Sequence, residues 1–231
     1  MAVKTETAAK KIKPLKPPEL FDRIPREKRE RVLRAAADEF SAKGYENANT
    51  NIIAEKAGIS VGALFKYFKT KEACFIAVLS EGIRHLEEAL DHITGSKDPF
   101  FKKIEMIVNI IPEHSRKYGE MIRLYYEVTR NSGSDTVSRL GARMEGISAR
   151  IYRKMIKQAK KEGIVNKTAD EDVFAFCLDN LFIMLQFSYA CKYYKKRKEI
   201  YLGRKKAGDD RHLTGQVMKF IKGALSPREL K

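Results

Sequence analysis

Residues 49–71, NTNIIAEKAGISVGALFKYFKTK, constrain the fold of this 231-residue chain more than any other stretch, because they demand two short helices joined by one tight turn. Ala54, Gly58 and Leu64 stand at an Ala-x3-Gly-x5-Leu spacing. Two helices that cross steeply within three or four residues come close together, so the contact position on the first must be small, and Ala54 is. Gly58 supplies the left-handed backbone that ends the first helix, a conformation that a side chain disfavours. Asn49 and Ser60 are each suited to cap the helix that follows, accepting from backbone N–H groups one turn on. Ile53, Ala57, Ile59 and Leu64 then share one apolar side, and Thr50, Asn51, Ser60, Val61, Gly62 and Lys66 occupy the other. A helical hairpin inside any all-α domain uses similar small residues, so the spacing alone leaves that alternative open.

The flanks narrow it. Before the pair runs PREKRERVLRAAADEFSAKGYENA, with an apolar stripe at Val32, Leu33, Ala36, Ala37 and Phe40; after its second helix comes LFKYFKTKEACF. Three elements, AA-x3-F-x3-G-Y, IA-x2-AGIS and LF-x-YF-x2-KE, follow in order over residues 26–79, and here the chain resembles the TetR-type (TetR/AcrR) family of bacterial transcriptional regulators. The resemblance implies an all-α fold, in which an N-terminal three-helix DNA-binding domain of helix-turn-helix type is joined by a long helix to a C-terminal helical ligand-binding and dimerisation domain. It also places Asn49, Thr50, Ser60, Tyr67 and Lys71 at positions that touch the DNA backbone. Two residues depart from the pattern: Phe65 stands where many relatives carry a phosphate-binding tyrosine, and Val61 where many carry a polar residue. On chemistry alone, Val61 offers a surface for a thymine methyl, Gly62 allows close approach, and Lys66 can donate to a guanine or a phosphate. Phe65 and Phe68 read as core aromatics.

Along the chain, residues 1–22 mix Lys, Pro and Thr and read as a flexible basic arm, 23–70 as the DNA-binding domain and 71–231 as the C-terminal domain. Pro25 suits a helix start and Gly44 its end. Further helices are expected near 50–57, 60–66, 70–93, 99–113, 116–131, 135–162, 171–195 and 211–224, with Thr168 and Glu171 forming a capping box before the penultimate one. No segment alternates like a strand. The formal net charge of +16 is not concentrated in the head: residues 1–80 hold 16 Lys and Arg against 10 Asp and Glu. A dense basic stretch at 192–206, KYYKKRKEIYLGRKK, reads as a solvated helix end and loop, with accessory polyanion contact as the alternative.

One small head binds DNA weakly, so a homodimer reading a palindromic operator in double-stranded DNA is expected. The expected interface is Leu178, Leu181, Phe182, Leu185 and Tyr189 on the penultimate helix with Leu213, Val217, Phe220 and Ile221 on the last. Relatives keep a small-molecule pocket in the C-terminal domain; Tyr118, Met121, Tyr125, Tyr126, Phe176, Asp179 and Met184 combine aromatic surface with a few polar groups, which suits an apolar or amphipathic effector. The function expected is a ligand-responsive repressor, with an activator or a nonspecific DNA-binding protein as alternatives using the same head. Catalysis is the remote alternative: His85, His92, His114 and His212 are isolated and Cys74, Cys177 and Cys191 form no CxxC pair, so no cofactor, metal or enzyme activity is expected. The scattered cysteines, the apolar-poor N-terminus and the polar breaks at Asp179, Asn180 and Gln186 in the most apolar stretch point to a cytoplasmic protein with no membrane span.

Overall fold

A glycine decides where the first long helix stops. In the computed structural model, which describes residues 19–130 and 135–227, α1 (Glu19–Asp22) leads into α2 (Arg26–Asn47), and the backbone leaves helical geometry at Gly44, φ +72°. Pro25, φ −51°, sits at the cap rather than inside the helix. α3 (Thr50–Lys56) and α4 (Val61–Tyr67) complete the head. Its core is Val32, Ala36, Phe40, Ile53, Ala54, Leu64 and Phe68, closed from below by Phe21 of α1, whose ring lies 4.5 Å from that of Phe68. Small side chains on α2 and α3 let these short helices cross closely, as ridge-into-groove packing requires.

α5 (Lys71–Gly95) belongs to both halves of the molecule. Its first turns bury Cys74, Phe75 and Val78 toward the head, and its later turns bury Ile83, Leu90 and Ile93 among the helices that follow. At 1.5 Å per residue it reaches about 37 Å. The C-terminal half comprises α6 (Phe100–Lys117), α7 (Gly119–Arg130), α8 (Asp135–Lys161), α9 (Glu171–Ala190), α10 (Lys192–Ala207) and α11 (Asp210–Leu225). α9 is central, packing against α6, α7, α8 and α10, while α11 packs on α6 and α10. Among the described residues there is no strand.

Several boundaries differ from the sequence expectation. α6 does not stop at 113: Pro112 is buried inside it, and the helix runs on to Lys117 because packing against α9 and α11 offsets the one backbone bond that proline removes. The break falls at Tyr118, whose φ of −117° and ψ of 34° separate α6 from α7. The expected helix 171–195 ends at Ala190, where Cys191 turns extended, and the basic stretch forms a helix of its own, α10, kinked at Gly203 with φ +73°. The cap of α9 is Asp170, accepting from the N–H groups of Asp172 and Val173 at 2.9 and 3.1 Å; Thr168 instead donates its hydroxyl to Asn166 at 2.9 Å. The proposed arm, residues 1–22, lies almost wholly outside the described residues.

Candidate nucleic-acid interface and effector cleft

Each helix of the pair is fastened at its start. Asn49 Oδ1 accepts from the Asn51 N–H at 2.9 Å, Ser60 Oγ from Ala63 at 3.1 Å, and Thr70 Oγ1 from Ala73 at 3.0 Å at the head of α5. Each such bond satisfies an otherwise orphaned donor. Between α3 and α4, Gly58 takes φ +64° while the N–H groups of Gly58 and Ile59 reach back to the carbonyls of Glu55 and Ala54, both at 3.0 Å. A Cβ built on Gly58 meets nothing within 4 Å, so glycine is required there by backbone conformation and not by space.

The face of the pair turned away from the core carries Asn51, Ser60, Val61, Gly62 and Lys66, all exposed, with Thr50 half-buried at its edge. Phe65 joins them. Expected in the core, it is 40% exposed on α4, beside Val61 at 36%; Phe68, by contrast, is buried. α4 therefore presents two apolar side chains and one ammonium, a set fitted to base methyl groups and phosphate rather than to a bidentate hydrogen-bond code.

Two residues expected at phosphates have partners within the protein. Lys71 Nζ donates to the carbonyls of Glu46 and Ala48 at 2.9 and 3.2 Å and lies 5.0 Å over the Tyr45 ring. The helix break at Gly44 leaves those carbonyls without helical partners, and Lys71 satisfies them, so its charge ties α5 to the end of α2. Tyr67 is only 9% exposed, its ring 5.8 Å from Phe21 and under the Lys28 ammonium. One residue that the sequence reading missed holds the cap in place. Glu39, buried on α2, accepts from the Asn49 N–H and the Lys56 ammonium, each at 3.3 Å. Its signal was present as a carboxylate at helical spacing within the apolar stripe of α2.

Lys71→Ala is accordingly expected to lower thermal stability by about 1 kcal/mol while leaving the salt dependence of DNA binding unchanged. A phosphate contact would flatten the slope by roughly one ion per head, so DNA titrations at several salt concentrations discriminate the two roles.

In the C-terminal half, α7, α8 and α9 border an open cleft of about 510 Å³. Tyr125, Phe176, Asp179 and Met184 of the expected pocket line it, joined by Glu145, Arg153, Ile183 and Phe187. The Tyr125 hydroxyl donates to Glu145. Burial, then the neighbouring Glu145 charge, push the Asp179 carboxyl up to about 6, against a hydrogen bond from Ser148 that opposes them. Burial foremost, then the bond to Glu145, raises Tyr125 well above the usual phenol range, so it stays a donor. Tyr126 packs next door, its ring 5.3 Å from Phe187 and 5.9 Å from Tyr194. Tyr118 and Met121 do not belong to this cleft: they line a separate one of about 310 Å³ with Arg26, Leu33 and Ala37 of α2 and Val78 and His85 of α5. α7 thus faces different neighbours along its length, its first turn toward the head and Tyr125, midway along it, toward the cleft. α7 also approaches α5 closely, since a Cβ on Gly82 would lie 2.6 Å from the Met121 methyl. A larger opening of about 840 Å³ lies between the α5–α6 connection and α8, edged by Lys103, Arg150 and Lys154 and away from the head.

The expected dimer residues divide as well. Leu178, Phe182, Leu185 and Tyr189 of α9 and Ile221 of α11 are buried in the chain's own core, which accounts for their apolar character without a second copy. Tyr189 also donates to Asp210 at 2.9 Å, and Arg116 pairs with the same carboxylate at 2.6 Å, joining α6, α9 and α11. Leu181, Leu213 and Val217 are half-buried, and Phe220 is 69% exposed. Among the described residues of α9 and α11, the apolar side chains left open are Phe220 on α11 and Val173, Phe176 and the neighbouring Cys177 on α9; Ile110 of α6 and Tyr193, Ile200 and Tyr201 of α10 are exposed as well.

A profile describing bacterial regulatory proteins of the tetR family matches residues 32–78, the span from mid-α2 into α5. The HTH-type transcriptional regulator YhgD of Bacillus subtilis is 23% identical over 172 residues, covering 74% of this chain and 89% of that protein. A transcriptional regulator from Saccharomonospora viridis, solved in complex with choline, superposes with a TM-score of 0.70 at 16% identity, over 88% of this chain and 100% of its own. FadR from Bacillus subtilis, solved in complex with stearoyl-CoA, gives 0.64 at 16% identity, over 84% and 98%. At these identities the structural matches speak to fold alone.

Proposed function

Because the chain belongs to the TetR family of bacterial regulatory proteins and is a DNA-binding transcription regulator, we propose that it acts in the cytoplasm as a repressor, binding a palindromic operator as a homodimer until a small molecule releases it. The observation that carries this reading is the capped pair α3–α4, whose outer face is exposed while its inner face is core. α4 is seven residues long, so base contacts are limited to Val61, Gly62, Phe65 and Lys66, and Asn49, Thr50, Asn51 and Ser60 anchor the head on phosphates. With so few base contacts, DNA shape contributes to selectivity and affinity rests on two heads held at a fixed separation.

The dimer forms through the open apolar surface of α9 and α11, around Leu181, Leu213, Val217 and Phe220, as a bundle of two helices from each copy. The effector occupies the α7–α8–α9 cleft. α7 lines that cleft at its middle, with Tyr125, and packs on α2 near its start, so a ligand that favours one placement of α7 also favours one placement of the head. Two structural neighbours were solved with a small molecule bound, choline in one and stearoyl-CoA in the other, which supports a ligand-responsive reading.

Selecting bound fragments from random duplex DNA tests the reading. Enrichment of one sequence with twofold symmetry, its half-sites about one helical turn or a multiple apart, is the expected result. Uniform recovery of all sequences would replace it with a nonspecific DNA-binding role.

A further inference from the structure

We infer that the effector of the α7–α8–α9 cleft is an organic cation, a quaternary or protonated amine carried on an apolar body. The inference rests on the reading of that cleft as the effector site and names the ligand class. Among the described residues, the lining holds three carboxylates, of Glu145, Asp172 and Asp179, and one cation, Arg153. Arg153 is engaged by Asp172 at 2.6 Å on the outer edge, both side chains more than half exposed. That pair neutralises itself, and the remaining wall charge is that of Asp179 within the cleft and Glu145 at its mouth.

Tyr125, Phe176 and Phe187 supply the aromatic share of the same wall, and ring faces attract a cation through their quadrupole. The Tyr125 hydroxyl is directed at Glu145, so this donor is not available to an incoming anion. Holding Asp179 half-buried near a second carboxylate is unfavourable for an empty cleft and for an anionic guest. It becomes favourable when a positive charge enters between them. The volume of about 510 Å³ accommodates a cation with a ring or several alkyl arms. An effector read from the aromatic residues alone would be merely apolar or amphipathic; the two carboxylates give it a sign.

The dependence on pH has a definite direction. Asp179 faces Tyr125 from α7, Glu145, Ser148, Tyr152 and Arg153 from α8, and shares α9 with Asp172. Because its carboxyl is held up to about 6, it is neutral below that pH and charged above it. Cation affinity therefore rises between pH 5 and pH 7.

The test uses two probes of one shape, phenyltrimethylammonium and its uncharged isostere tert-butylbenzene, with full-length protein and a duplex carrying the selected operator. Calorimetry is expected to show the cation binding at least about tenfold more tightly than the isostere. Asp179→Asn, and independently Glu145→Gln, are expected to remove most of that preference by weakening phenyltrimethylammonium, with tert-butylbenzene still bound and the ligand-free melting temperature no lower than that of the wild type. Equal affinity of the wild type for both probes, or an Asp179→Asn protein that keeps the full preference, would overturn the cation class while leaving the cleft as the effector site. Failure of both probes to bind, together with no loss of operator affinity in their presence, would overturn the cleft itself and the cation proposal with it.

Discussion

Gly58→Val is expected to lower operator affinity by roughly 1,000-fold while the dimer stays intact, because valine relaxes the turn out of left-handed backbone in the free protein and each head must return to it on DNA at a cost of about 2 kcal/mol. The figure follows from doubling: two heads bind together, so about 4 kcal/mol opposes the complex. Space is not the obstacle, since nothing lies within 4 Å of a Cβ at this position; the obstacle is φ +64°. Alanine, without β-branching, costs less in the same conformation, so Gly58→Ala is expected to fall between the two. The order Gly, Ala, Val in fluorescence-anisotropy affinities would mark a conformational requirement. Near-normal affinity for the valine variant would show that the turn does not set the angle between α3 and α4. Sedimentation on the same samples keeps head and dimer separate, because Gly58 is remote from α9 and α11.

Phe220→Glu carries the second large effect. Phe220 is exposed in the single chain, so replacing it removes nothing from the core, yet it places a charge where two apolar surfaces are proposed to meet. Burying two such carboxylates face to face across a twofold axis costs several kcal/mol, enough to shift a micromolar protein to single chains. Operator affinity is then expected to fall by at least about 100-fold, since one head alone binds the half-site and phosphate contacts are halved. Velocity sedimentation at the mass of one chain, with an unchanged melting transition of the isolated fold, is the expected outcome. A dimer that survives the substitution would move the interface off α11. Leu181→Glu is a less discriminating variant, because that side chain is half-buried in the chain's own core and its loss would also unsettle α9.

The head was legible in the sequence because its determinants are local. A cap works over three residues and a left-handed glycine over one, so Asn49, Ser60 and Gly58 fell where the pattern placed them. Lys71 and Tyr67 were assigned to phosphate by position in a pattern, whereas their side chains are directed by partners distant in sequence: the carbonyls released at the Gly44 break, and the Phe21 ring. Breaker residues misled in both directions. The helix expected to end near 113, beside Pro112, runs through that proline, while Cys191, with neither proline nor glycine beside it, ends one. Tertiary packing outweighed propensity at each. In the C-terminal half, periodicity identified which residues of α9 share a side, Leu178, Phe182, Leu185 and Tyr189, without saying whether that side meets the chain's own core or a second copy. The cleft was half legible: aromatic residues and Asp179 were singled out, but Glu145 and Arg153 reach it from α8, an element whose contribution depends on how three helices come together.

The claim on which the rest depends is that the outer face of α3 and α4 meets duplex DNA. Phe65 lies on that face and tolerates a larger ring because it is already exposed, whereas Ile110 is comparably exposed on α6, outside the head. The direct measurement replaces each in turn with p-benzoylphenylalanine and irradiates the protein bound to the selected duplex. A covalent protein–DNA adduct from position 65, and none from position 110, is the predicted result. Bound DNA that gives no adduct at 65, or equal adduct at both positions, would contradict it.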